Sequence, residues 1–179
     1  PGSEDGLHFN LSHADDIALI GLSRRAAVGV DIETLARAAE RAADLNDMLS
    51  AQERAALLDL PDRDRPLATY RCWVRKEALL KAAGCGIGVG GLDRFSVSCT
   101  AHARLLASEH PQVPAAGWSL RALESPPSGP GLMRARGAID FADIDVALRI
   151  GSDAMRRAEL AGSTAGRAPR FHPIAILIR

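Results

Sequence analysis

The segment from about Leu67 to Ala83 limits most strongly what this chain can fold into. Tyr70, Trp73 and Val74 recur at helical spacing, and Gly84 follows where a helix can end in a left-handed residue. It therefore reads as the third and longest helix. Residues four apart are neighbours on a helical surface, so Trp73, Glu77 and Lys81 share one stripe. An indole, a carboxylate and an ammonium make an unusual core face. Asp31-Ile32-Glu33 carries the other period: on a strand both carboxylates point one way and Ile32 the opposite way. Two carboxylates from a strand and one from a helix form a hard-oxygen pocket. Mg²⁺ bound to a phosphate ester requires such a pocket, with lysines nearby to meet the remaining phosphate charge.

Taken in order, residues 1–7 read as a disordered lead-in. Leu7–Leu11 reads as a short strand that ends at Asn10-Leu11-Ser12-His13, where a turn begins. Ile17–Leu22 is a compact apolar run and Val28–Glu33 a further strand, so residues 17–33 predict a hairpin. Leu35–Leu45 predicts a helix, and Ser50 with Glu53 three residues on is a capping-box pattern that opens another, ending near Leu60. After the long helix, Cys85–Leu92 is a glycine-dense loop. Arg94–Cys99, His102–Ala107 and Trp118–Leu123 read as strands, with a Pro/Gly/Ser loop over Ser125–Gly131. Ala138–Ile150 has no clean period, and Arg156–Arg170 resembles a flexible tail. The apolar end Ile174–Ile178 is out of place on a solvated terminus. Strands and helices do not alternate as in a parallel wound sheet, so the fold class is α+β: an antiparallel sheet packed against the long helix.

A chain of 179 residues suffices for one domain with a sizeable core. Its 22 basic and 22 acidic residues cancel, which argues against a nucleic-acid groove. No apolar run reaches the length of a membrane span, and no basic-then-hydrophobic signal opens the chain. Cys72, Cys85 and Cys99 form no CxxC pair, and an odd count disfavours a disulfide framework or structural zinc. A reducing cytoplasm is the expected compartment. The chain opens Pro-Gly-Ser-Glu-Asp-Gly rather than with Met, which fits a processed end or a part of something longer.

Each motif also has a plainer reading. Asp31 and Glu33 could be the solvated edge of a half-buried strand. Val28, Gly29, Val30 and Ile32 instead set them at the rim of a core, where unpaired charge is costly and a metal would remove the cost. Glu77 could be an i,i+4 partner of Lys81, an interaction of about 0.2–0.5 kcal/mol. Lys76 and Lys81 could be surface lysines. Ser12-His13 could contact a phosphate or cap a turn. The glycines from Gly84 to Gly91 follow a helix, not a strand, so the dinucleotide fingerprint fails and a mobile loop able to lie across a ligand remains.

Together the pieces resemble a known family in order and spacing. Phe9-Asn-Leu-Ser-His13, Val28-Gly-Val-Asp31-Ile-Glu33, Leu49-Ser50-Ala-Gln-Glu53, Trp73-Val-Arg-Lys76-Glu77-Ala-Leu-Leu-Lys81 and Gly84-Cys-Gly86 are similar to the surfactin-synthetase-activating type of 4′-phosphopantetheinyl transferase. The resemblance covers roughly residues 8–100, and Asn-Leu-Ser-His ahead of the metal strand favours this type over the smaller trimeric holo-acyl-carrier-protein synthases. It implies one half of a pseudo-dimer, with a transferase domain over residues 8–124 and a poorly matched segment over 125–179.

It further implies Mg²⁺-dependent transfer of the phosphopantetheine arm of coenzyme A to a serine of an apo acyl or peptidyl carrier protein. Asp31, Glu33 and Glu77 would hold the metal. Lys76 and Lys81 would stabilise phosphate charge, and Ser12 with His13 would contact coenzyme A phosphates. Glu77 would take the serine proton, with Glu53 a second candidate. Most of the first half of such an enzyme is not matched, so a homodimer or a further N-terminal segment would complete the coenzyme A cleft. The alternative is a truncated remnant that binds a carrier protein or coenzyme A with little or no turnover. A generic Mg²⁺ phosphoesterase ranks below both, since no second metal cluster or histidine pair is present.

Overall fold

The computed structural model describes residues 6–14, 17–34, 44–86, 88, 90–123, 131–134, 144–150 and 174–178. Residues 1–5 of the expected lead-in, 35–43 of the expected helix, the loop up to 130, residues 138–143 and the tail over 156–170 lie outside them. The strands are β1 (His8–Ala14), β2 (Ile17–Ser23), β3 (Val28–Asp31), β4 (Phe95–Val97), β5 (Leu105–Ser108), β6 (Ser119–Leu123), β7 (Gly131–Arg134), β8 (Ile144–Ile150) and β9 (Ile174–Ile178). The α-helices among the described residues are α1 (Ala51–Leu58) and α2 (Arg65–Ala82), with 3-10 turns at Asn46–Met48 and Leu92–Arg94. The fold is α+β with antiparallel sheets, as the sequence implies.

Both helix boundaries follow from local chemistry. Ser50 Oγ accepts from the Glu53 amide at 3.1 Å while Glu53 Oε2 accepts from the Ser50 amide at 2.8 Å, closing the capping box that starts α1. Pro66 stands in the first turn of α2, where its missing N–H costs nothing, and Gly84 at φ 74° ends that helix. The core gathers around α2. Leu79 and Leu80 are fully buried, each such side chain contributing about 1.5–3 kcal/mol relative to exposure. Leu49, Leu57, Phe95 and Val113 close over the same cluster from α1, β4 and the loops.

The strands form three antiparallel groups: a four-stranded sheet in the order β1-β2-β8-β7, a three-stranded sheet in the order β3-β9-β6, and the pair β4-β5. This corrects the hairpin expected over residues 17–33. β2 is flanked by β1 and β8, so neither edge is open to β3. The hairpin is β1–β2, with Ser12 opposite Leu19. β3 instead packs onto the face of that sheet, where a Cβ at Gly21 would lie 2.7 Å from Val30 Cγ1. On its other face β3 meets α2, and a Cβ at Gly29 would collide with the Ala78 carbonyl oxygen. Strands from beyond residue 124 take part in these sheets, β8 pairing with β2 and β9 with β3. The apolar end Ile174–Ile178 is thus the middle strand of a sheet.

Candidate active site

β3 is stitched along its remaining edge by side chains of β1. Asn10 and Ser12 are two residues apart on one strand and so share a face. Asn10 Oδ1 accepts from the Val30 amide at 2.9 Å, and Ser12 Oγ accepts from the Ile32 amide at 3.3 Å. The strand expected to end at Ser12-His13 runs straight through them, and that continuity makes the stitching possible.

Ser12 also donates to Asp31 Oδ1 at 2.9 Å, and the same oxygen accepts from Lys81 Nζ at 2.6 Å. Lys81 reaches across from α2 and touches Ser12 Oγ at 3.2 Å and the Val30 carbonyl at 3.3 Å. Its helical neighbour Glu77 holds Oε2 4.0 Å from the same ammonium. Asp31 is 2% exposed, and its second oxygen, Oδ2, has no hydrogen-bond partner among the described residues. Burial pushes the Asp31 carboxyl above its ordinary value, and Lys81 and Ser12 pull part of the way back. With its side chain 26% exposed, Lys81 lies closer to solvent than Asp31 or Glu77. The structure therefore brings together Ser12, Asp31, Glu77 and Lys81.

Glu33 lies just beyond the end of β3, so the strand alternation expected to align it with Asp31 has stopped. Its Oε2 accepts from Tyr70 Oη at 3.1 Å, yet it is near enough to Asp31 for its charge to help raise that group. Tyr70, read from the sequence only as an inward-facing residue, is the side chain that fixes Glu33.

Three expected residues stand apart from the cluster. Lys76 is fully buried on another side of α2. Its three N–H groups are taken by Glu53 Oε2 at 2.6 Å and by the carbonyls of Leu92 and Met48 at 2.6 and 3.0 Å. The Phe95 ring lies 5.0 Å from its ammonium. No donor remains for a phosphate, and the turn of about 100° per helical residue carries Lys76 away from the side that bears Glu77. Glu53 is equally committed, since its Oε1 accepts from the Val97 amide at 2.7 Å, so it cannot serve as a second proton acceptor. His13 is exposed on the face of β1 opposite Ser12, alongside Phe9 and Leu11. Ser12 and His13, both expected to contact coenzyme A phosphates, thus lie on opposite faces of β1, as the alternation of a strand requires.

Among the described residues, no three His, Cys, Asp or Glu side chains are gathered to hold a metal ion, and Lys81 stands on Asp31 Oδ1. The chemistry of the site nonetheless fits a hard cation. A buried carboxylate oxygen without a donor among the described residues is costly, Glu33 is near enough for its charge to act on Asp31, and Glu77 shares Lys81 with it. Among the described residues no helix is long and apolar enough to cross a membrane.

Comparison with known proteins completes the picture. The profile of the 4′-phosphopantetheinyl transferase superfamily matches residues 27–148. The 4′-phosphopantetheinyl transferase HetI of Nostoc sp. is 33% identical over 98 residues, which cover 55% of this chain and 40% of that protein. The 4′-phosphopantetheinyl transferase AcpT of Escherichia coli is 42% identical over 80 residues, covering 44% of this chain and 40% of its own. The chain thus spans about 40% of the length of these relatives.

Proposed function

The chain belongs to the 4′-phosphopantetheinyl transferase superfamily, and from that premise we propose that it transfers 4′-phosphopantetheine from coenzyme A to a serine of an apo carrier protein, with Mg²⁺ as its metal. The observation that carries this reading is the buried Asp31, one oxygen on Lys81 and the other without a donor among the described residues, with Glu77 on the same lysine. Asp31, Glu33 and Glu77 are the residues that would hold the ion. Bound there, Mg²⁺ supplies a Lewis acid that polarises a phosphoryl oxygen and offsets charge on the leaving group.

The chain's own residues do the rest. Lys81 moves little to meet pyrophosphate charge, since its ammonium already stands at the solvent side of the cluster. Ser12 keeps Asp31 oriented through a hydrogen bond and ties β1 to β3. Glu77 is assigned the proton of the carrier serine as its oxygen bonds to phosphorus and the bond to 3′,5′-adenosine bisphosphate breaks. Lys76 and Glu53 enter only as the brace that sets the angle of α2. The surfactin-synthetase-activating branch is the finer assignment, supported by Asn10 and Ser12, which a chain beginning at the metal strand would lack. That branch places coenzyme A in a cleft between two similar halves.

Intact-mass spectrometry of an apo carrier protein incubated with this chain, coenzyme A and Mg²⁺ tests the proposal. The carrier gains one phosphopantetheine, and the gain disappears without Mg²⁺ or with Asp31→Ala. No gain from a chain shown to be folded defeats the activity for these residues. Glu77→Gln lowers transfer by about 100-fold or more while the circular dichroism spectrum is retained, in keeping with loss of a proton acceptor. Full activity in that variant removes Glu77 from the role.

A further inference from the structure

Away from this cluster, Cys72 of α2 and Cys99, two residues past β4, face each other with their Sγ atoms 2.9 Å apart. Both are free thiols in the structure, and the third cysteine, Cys85, turns its sulfur toward the Leu80 carbonyl instead. The pair is held by a neighbour. Arg75, one turn along from Cys72, donates to the carbonyls of Ser98, Thr100 and Ala101 and to Ser98 Oγ, which ties the segment bearing Cys99 to the helix face bearing Cys72. Burial brings the Arg75 guanidinium down to about 10, so it stays cationic at neutral pH beside the two sulfurs.

The pair is also unequal. Cys72 is completely buried and donates its S–H to the Cys99 sulfur. That hydrogen bond raises Cys72 and holds Cys99 below the ordinary thiol value despite its burial. Cys99 is 7% exposed and lines a surface groove of about 850 Å³ together with Leu60, His102, Arg104 and Leu106. One sulfur therefore has a route to solvent and the other stands directly behind it.

We infer that Cys72 and Cys99 form a redox-responsive dithiol, oxidised to an intramolecular disulfide by a small peroxide entering through this groove. The Cys99 thiolate attacks one peroxide oxygen, the O–O bond breaks, and the departing hydroxide takes up the proton that Cys99 released on ionising. Cys99 is left as a sulfenic acid. The Cys72 sulfur then attacks the Cys99 sulfur, its proton leaves with the hydroxyl as water, and the S–S bond forms. Two thiols and one hydrogen peroxide thus give one disulfide and two waters. The bond joins α2, which carries Glu77 and Lys81, to the segment after β4, and a small thiol reverses it.

The test treats the full chain with hydrogen peroxide, denatures it and counts maleimide labels by mass. Treated protein takes up one label, on Cys85, where untreated protein takes three, and dithiothreitol restores the three. Tryptic peptides 72–75 and 95–104 are recovered joined. Three labels after treatment, a bridge that includes Cys85 or a second chain, or Cys99 oxidised to a sulfinic acid without a bridge overturns the inference. Two variants test the order of attack. Cys72→Ser leaves a dimedone-reactive sulfenic acid at Cys99, and Cys99→Ser leaves none. Dimedone labelling of Cys72 in the second variant reverses the assignment of the attacking sulfur.

Discussion

Lys76 and Lys81 lie five residues apart on one helix and meet opposite surroundings. Lys76 is sealed against Glu53 with every donor taken, whereas Lys81 keeps a solvent-facing side beside Asp31. Burial lowers the Lys76 ammonium from its ordinary value, and Glu53 opposes that shift, so each ion depends on the other. Lys76→Met leaves Glu53 as an uncompensated buried charge and is expected to cost about 3–5 kcal/mol in urea denaturation. A loss under about 1 kcal/mol, the scale of an exposed pair, contradicts the brace. Asp31 makes a different prediction. Added Mg²⁺ raises the melting temperature of the native chain through binding to the folded state, and Asp31→Asn removes that rise. A rise of equal size in the variant takes Asp31 out of the metal site. At this scale the pairing of Glu77 with Lys81 was legible, because the helical period fixes which side chains share a face, whereas Asp31 reaches them only through the packing of β3 on α2. The burial of Lys76 was not, because a period gives the angle of a side chain but not what stands opposite.

Between elements, α2 approaches β3 closely enough that Gly29 leaves no room for a side chain. Any side chain there meets the helix backbone at Ala78, so the strand carrying Asp31 and the helix carrying Glu77 and Lys81 would be driven apart. Gly29→Ala is expected to destabilise by about 1–3 kcal/mol or more and to weaken the Asp31–Lys81 contact, as overpacking does in a filled core. Thermal denaturation together with the Mg²⁺-induced shift reads both effects, and a variant with native values of each would show that the contact is not tight. The capping box of α1 and the glycine terminator of α2 were readable in the sequence, since both are satisfied within a few residues. The pairing of β3 was not. Alternation marks a strand, but its partner is selected by which sheet edge is vacant, and β2 already has neighbours on both sides.

Across the whole molecule, distant segments meet to complete the sheets. β9 lies between β3 and β6, with Ala175 opposite Asp31, so the backbone of the candidate site rests on residues more than 140 positions away. Removing residues 174–179 leaves two strands without their shared ladder and is expected to abolish cooperative thermal unfolding. A sharp native-like transition in the shortened chain contradicts this placement. The sequence by itself determined the α+β class, the long helix and its stops, the balanced charge, and the motifs that align with a phosphopantetheinyl transferase, because propensity, capping and side-chain period act over a few residues. Tertiary structure alone decided that Lys76 braces the core, that Cys72 meets Cys99, and that an apolar terminal run becomes a central strand. Each of these depends on what long-range packing brings opposite a side chain or a strand edge, and no local pattern carries that information.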